Sequence, residues 1–187
     1  EYARHLREFA GTGSEHIFKT IFAEKKRGLK DAEIQNLMTK KRTLYTKIVQ
    51  QSQIPTVEGV VEFVKMIHEK GLKKIIATGN SNLDAVRFIL KKVGLNDYFL
   101  DIVSITEVPR GKPFPDVFIE AARRMDSAPS ECVVLEDSKN GVEAAVAAKI
   151  PCIALATTTD EKVLQDAGAT FVVKNYTFIT DEMLYGR

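Results

Sequence analysis

Only two cysteines, Cys132 and Cys152, occur in 187 residues. That excludes a disulfide framework. With no further cysteine or histidine motif beside them, it also argues against a thiolate metal site. Both read as small core residues in buried strands, in a reducing compartment such as the cytoplasm. No run approaches the ~20 apolar residues of a membrane span, and no secretory leader is visible. No basic run is interleaved with aromatics, which disfavours nucleic acid as a partner. Internal repeats and low-complexity segments are missing too. What is there is ordinary for a globular chain: 44% hydrophobic and 28% charged residues. The length suffices for one good core, or a core with a small accessory domain. The net charge of +2 hides an asymmetry: residues 1–50 hold 11 Lys+Arg against 6 Asp+Glu, and the remainder 16 against 19. A basic front facing an acidic site favours an anionic substrate, and a solvated helical surface accounts for the same numbers.

The first ~50 residues read as helices only. Ile17, Phe18, Ile21 and Phe22 form one stripe, and Ile34, Leu37, Met38, Leu44, Tyr45, Ile48 and Val49 share a face of a helix over 31–50. Ser52 to Pro55 reads as a linker. Beyond it helices and short apolar strands alternate. Helices are expected at 57–70, 82–93, from Pro115, at 140–149 and near 160–167. Strands are expected at 74–77, 102–105, 132–135, 152–155 and 170–173. This alternation defines an α/β chain with a parallel sheet covered by helices on both faces.

Ligands of such sheets bind just beyond the carboxyl ends of the strands, and three strand ends or loops carry chemistry. Val133-Val134-Leu135 runs into Glu136-Asp137-Ser138. Two adjacent carboxylates there repel and lose water unless a cation holds them, and Mg²⁺ is the natural candidate. A polar loop with helix-capping acids is the competing reading. Strand 74–77 ends in Thr78-Gly79-Asn80-Ser81, a hydroxyl and exposed N–H groups that suit an anion or an ordinary capped turn. In Arg110-Gly111-Lys112-Pro113, Lys112 has a constrained backbone and a long stem, and a solvated loop lysine is the ordinary alternative.

Taken together, Thr78, Lys112-Pro113 and Leu135-Glu136-Asp137-Ser138, with the later Gly141-Val142-Glu143-Ala144-Ala145, resemble the haloacid dehalogenase superfamily. The nearest branch is that of β-phosphoglucomutase and small sugar-phosphate phosphatases. The resemblance implies a Rossmann-like parallel sheet core over 53–187 and a small α-helical cap over 1–52. By position it gives Thr78 the phosphoryl oxygens and makes Lys112 the charge balance. It makes Glu136 and Asp137 the Mg²⁺ ligands, directly or through water. Gly79 and Asn80 become donors, and Ser81 and Asn82 face the substrate. Lys41, which interrupts the apolar face of its helix, matches a cap lysine at the substrate; it also fits a lysine that snorkels to water. The loop Gly11-Thr12-Gly13-Ser14 resembles the specificity loop of these caps, with Ser14 where the mutase has an arginine.

One part is missing. The family's nucleophile is an aspartate of an Asp-x-Asp-Gly motif after the first strand, and no Asp-x-Asp occurs here. Asp97 and Asp101 precede a strand and fall at the wrong end of the sheet. The expectation is therefore a chain lacking that first, central strand, about 30 residues in all. The gap between the strands ending at Thr78 and Glu136 is expected to be filled by another segment or chain, or to close directly. Self-association through the open edges is a further expectation. The implied activity is Mg²⁺-dependent phosphoryl transfer from a small phosphorylated metabolite, phosphatase before mutase. The rival is an inactive phosphate- or partner-binding module.

Overall fold

A computed structural model describes residues 13–186. Two helices, α1 (Ser14–Glu24) and α2 (Asp31–Gln51), pack together and precede an α/β series. That series runs α3 (Val60–Glu69), β1 (Ile76–Thr78), α4 (Leu83–Lys92), β2 (Ile102–Ser104), α5 (Asp116–Arg124), β3 (Val134–Glu136), α6 (Lys139–Ala147), β4 (Cys152–Leu155), α7 (Glu161–Asp166), β5 (Phe171–Val173) and α8 (Asp181–Tyr185). Every expected strand and helix is present within a few residues, because each couples a short β-branched or aliphatic run to a turn residue. Gly71 and Gly94, at φ +74° and +73°, stop α3 and α4 in the left-handed conformation that glycine adopts without a Cβ clash.

The sheet is split. β1 pairs in parallel with β2, and β3, β4 and β5 pair in parallel in that order. Among the described residues no strand joins β1 to β3. The expectation that these two close directly is not met, and no described segment fills the space. Helices set the separation. α5 lies over one face of both half-sheets through Val117, Phe118 and Ala121, packed with Val103, Val134 and Ala154. Phe63, Val64 and Ile67 of α3 cover the other face with Leu90, Leu95 and Ile102. Between them remains a cavity of about 690 Å³, walled by Ile75, Ile76 and Ala77 on one side and Val133, Val134 and Leu135 on the other.

Two sequence expectations need correction. Cys132 is not in a buried strand: it ends the 3₁₀ turn Pro129–Glu131 and is partly exposed, whereas Cys152 is buried in β4. The face of α2 is not uniformly apolar inward, since Ile34 and Val49 are buried but Leu44 and Ile48 are 62% and 59% exposed. Of this 21-residue helix only Ile34 and Val49 are buried, so Leu44 and Ile48 stay in water. The helix expected over 140–149 begins at Lys139 as α6, capped by Ser138, whose hydroxyl accepts from Gly141 N at 3.1 Å.

α2 is fastened to the α/β layer by polar contacts. Lys92 Nζ donates to Val49 O, Gln50 O and Ser52 O at 3.4, 3.2 and 2.5 Å. It thereby satisfies carbonyls that a helix C-terminus leaves without partners. The loop at Gly13 is brought against the Lys112 loop by Ile105. Its Cδ1 lies 3.2 Å from where a Cβ on Gly13 would stand, and 2.2 Å from that of Gly111.

Candidate active site

Lys112 and Glu136 meet across the split sheet. Both are buried, each 8% exposed, and Lys112 Nζ donates to Glu136 Oε1. The same ammonium reaches Ala77 O at the end of β1, 3.4 Å away, and lies 4.8 Å from the centre of the Phe118 ring. The other carboxylate oxygen, Glu136 Oε2, accepts from Asp137 N (3.1 Å), Ser138 N (3.2 Å) and Ser138 Oγ (3.0 Å). A carboxylate has about four lone-pair sites, two on each oxygen, so Oε2 is fully engaged and Oε1 is held by the lysine. Gly141 makes the arrangement possible. A Cβ there would sit 2.1 Å from both Cδ and Oε2 of Glu136.

Asp137, next in sequence, has a different environment. Thr158 Oγ1 donates to its Oδ2 at 2.8 Å, which leaves coordination capacity on the carboxylate. Burial pushes the Asp137 carboxyl above its ordinary range, the Thr158 hydrogen bond opposes the shift, and the charge of Glu136 adds to it. The environment thus disfavours a bare negative charge at Asp137 and favours one offset by a cation. Among the described residues no three His, Cys, Asp or Glu gather into a ready metal cage. Two carboxylates suffice for Mg²⁺, which usually keeps several waters and shares substrate phosphates. The donor chemistry fits Mg²⁺ with Asp137 as the direct ligand. Glu136, whose Oε2 takes three donors and whose Oε1 takes the lysine, fits a role through water or as the partner of Lys112.

Thr78 ends β1, one residue beyond the carbonyl that Lys112 touches, and its Oγ1 accepts from Asn80 N at 3.0 Å. Asn80 Oδ1 accepts from Asn82 N, and its carbonyl from Ser104 Oγ at 3.0 Å. Gly79 lies between them in this tight turn. Asn82 has structural partners: its Oδ1 accepts from Ala85 N as the cap of α4, and its Nδ2 donates to Thr46 Oγ1 of α2 at 3.0 Å. It is 6% exposed. Its amide is therefore spent on holding α2 to the α/β layer, where the sequence reading had it facing substrate. Ser81 O accepts from Arg42 Nη2 at 3.4 Å. Lys41 Nζ donates to Ser14 Oγ, so the two cap positions singled out in the sequence touch each other. Desolvation lowers the Lys41 ammonium below its usual range. Gly11 and Thr12 lie outside the described residues. Asp97 sits in the turn Asn96–Tyr98. Asp101, before β2, is bound to Arg124 at 2.7 Å, away from this constellation.

Sequence reasoning missed Thr158, Thr46 and Arg42. Thr158 had a usable signal, a Thr157-Thr158-Thr159 run directly after an apolar strand, where parallel sheets bind ligands. Thr46 and Arg42 had none, because their meaning depends on how α2 docks.

A parallel α/β layer with a hydroxyl, a buried lysine and paired acids at its strand ends defines a class built to handle an anion beside a cation. Residues 2–149 match the haloacid dehalogenase-like hydrolase family, and the chain belongs to it. A phosphorylated carbohydrates phosphatase of Thermotoga maritima is 34% identical over 136 residues, 72% of this chain and 60% of that protein. The β-phosphoglucomutase of Bacillus subtilis is 28% identical over 159 residues, 83% of this chain and 66% of that one. The chain thus spans less than two thirds of these relatives. The structure of CbbY from Rhodobacter sphaeroides, in complex with xylulose-(1,5)bisphosphate, superposes with a TM-score of 0.83 over 95% of this chain and 78% of that one. At 24% identity it shows a shared fold.

Proposed function

We propose that this chain carries the phosphate- and metal-handling part of a Mg²⁺-dependent phosphoryl-transfer enzyme, a phosphatase acting on a small sugar phosphate. The observation that carries the reading is the buried Lys112–Glu136 pair, spanning from the end of β1 to the end of β3 beside Asp137. Thr78 Oγ1 is placed to donate to a phosphoryl oxygen once its proton is turned outward. Lys112 offsets the charge of phosphate and acceptor. Asp137, oriented by Thr158, holds Mg²⁺ with Glu136 behind it. Bound there, Mg²⁺ supplies Lewis-acid withdrawal of charge from phosphoryl oxygens. Transfer of this kind depends mainly on positioning and electrostatics. The bond from phosphorus to the sugar oxygen breaks as one forms to an aspartate carboxylate, and the sugar leaves as the alcohol with a proton from solvent; water then cleaves the aspartyl phosphate to inorganic phosphate and carboxylate, returning that proton. No Asp-x-Asp of the family type lies within the 187 residues, so the chain alone binds without turning over.

Phosphatase is preferred to mutase because Ser14, tied to Lys41, offers a hydroxyl where a second phosphate calls for an arginine. The products of glucose 1-phosphate separate the two, free glucose against glucose 6-phosphate. The test of the site is calorimetric binding of inorganic phosphate to the 187-residue chain with and without Mg²⁺. Thr78→Val and Asp137→Asn should each weaken Mg²⁺-dependent binding by about tenfold or more, the loss of one charge-assisted contact. Binding insensitive to both changes refutes the site. Steady turnover of an aryl phosphate by this chain refutes the argument about the acceptor.

A further inference from the structure

The segment Thr78 to Asn82 carries the chain from β1 into α4, and side-chain hydrogen bonds run through it in series. Thr78 Oγ1 accepts from Asn80 N at 3.0 Å, and Asn80 Oδ1 accepts from Asn82 N at 2.9 Å. The Asn82 side chain then leaves the turn. Its Oδ1 accepts from Ala85 N at 3.3 Å, and its Nδ2 donates to Thr46 Oγ1 of α2 at 3.0 Å. One turn earlier on α2, Arg42 Nη2 donates to Ser81 O at 3.4 Å, so α2 grips two adjacent residues of the turn. The grip on Asn82 is the tighter one. Arg42 is exposed, whereas Asn82 is 6% exposed, and a buried amide left without its acceptor is costly. Each link constrains the next. A hydroxyl has one proton and two lone pairs. With Asn80 N–H on one lone pair, the Thr78 proton is directed away from the turn. Asn80 keeps that aim while its own side chain is tied to Asn82 N.

We propose that Thr46 is a positioning residue for phosphate. Through Asn82 and Asn80 it keeps the Thr78 hydroxyl aimed outward, so docking of α2 and binding of phosphate are coupled. The effect on phosphate rests on the phosphoryl-transfer reading, whereas the hold of Thr46 on the turn does not. Coupling between two sites is reciprocal, so phosphate at Thr78 in turn holds α2 against the α/β layer. α2 also carries Lys41, which is tied to Ser14 of α1. The two helices that precede the α/β series therefore respond to what is bound at its strand ends.

The experiment compares two variants of the 187-residue chain. Thr46→Val keeps the shape and removes the hydroxyl, and Thr46→Ser keeps the hydroxyl. Thr43→Val is the control, because that hydroxyl donates to Thr39 O within α2 itself. Amide exchange read by NMR needs no ligand. Thr46→Val should speed exchange at Asn80 and Asn82 well beyond any change at Ile153 and Leu155 of β4, and Thr46→Ser and Thr43→Val should not. Calorimetry with inorganic phosphate and Mg²⁺ follows. Thr46→Val should weaken binding about fivefold or more, the lower end of the usual coupling between sites, and Thr46→Ser should restore it. In a Thr78→Val background, Thr46→Val should cost nothing further, since the hydroxyl that it directs is gone. Unchanged exchange at Asn80 and Asn82, or exchange sped equally in β4, overturns the hold of Thr46 on the turn. An affinity unmoved by Thr46→Val, or the same loss in the Thr78→Val background, overturns the coupling. Failure of the unaltered chain to bind phosphate refutes the phosphoryl-transfer reading and the coupling with it, and the exchange result then decides the hold on the turn by itself.

Discussion

Replacing Gly141 by alanine tests the site through one methyl group. Gly141 lies in α6, where alanine is normally the better residue by about 1 kcal/mol. An uncrowded position would therefore be stabilised. At Gly141 the new Cβ would stand 2.1–2.4 Å from three atoms of the Glu136 carboxylate. That carboxylate cannot simply shift, because Lys112, Asp137 N, Ser138 N and Ser138 Oγ hold it. Displacing it strands a buried ammonium, and breaking a buried ion pair costs about 3–5 kcal/mol. Set against the helix gain, the net is a loss of about 2–4 kcal/mol. For a domain of this size each kcal/mol moves the midpoint by about 2–4 °C, so Tm should fall by roughly 5–15 °C. Thermal denaturation followed by circular dichroism measures it. Gly28→Ala is the control, since nothing lies within 4 Å of its Cβ position, and it should change Tm by no more than a degree or two. A Gly141→Ala protein as stable as the parent, or more so, would show that Glu136 is not clamped as described.

The remaining expectations concern charge and docking. Asp137 has a raised pKa, so the folded state favours its protonated form. Metal-free stability from this group is full below the ordinary value of 3.8 and declines as pH rises through the raised one. Asp137→Asn should therefore flatten the metal-free stability profile across that window and raise Tm at pH 7 while weakening the Mg²⁺ response. A profile identical to the parent's contradicts the assignment. In a phosphatase assay of protein that carries the acceptor aspartate, Lys112→Ala should abolish turnover, whereas Ser14→Ala should lower it less; the reverse order overturns the reading of the two loops. Lys92→Ala should cost about 1 kcal/mol and accelerate hydrogen exchange near the C-terminus of α2, with β3 and β4 unaffected. Uniform acceleration would mean that the lysine does not act locally on Val49, Gln50 and Ser52.

Much of the fold was legible because local chemistry and long-range packing agree. Cys152–Leu155 is apolar at every position and buried at every position, as a strand covered on both faces must be. Glu136-Asp137-Ser138 follows such a run, so the strand-end rule located the acids without coordinates. Where packing overrides local preference, the sequence misled. Gly141 falls in the helix expected over 140–149, but nothing local shows that the carboxylate of Glu136 fills the space its missing side chain leaves. Asn82 reads as a substrate donor and is a cap residue bound to Thr46, a partner 36 positions away.

By itself the sequence determined the order of strands and helices, the strand ends that carry chemistry and the lack of an acidic pair of the Asp-x-Asp type. These are local properties, written in periodicity and in residues that start or stop an element. Only the tertiary structure decided that Glu136 is held by four donors while Asp137 has one from Thr158, and that Lys112 reaches across two half-sheets. It alone decided that β1 and β3 stand apart. The reach of Lys112 joins residues 24 and 35 positions apart along the chain, Glu136 and Ala77, under helices packed on both faces of the sheet.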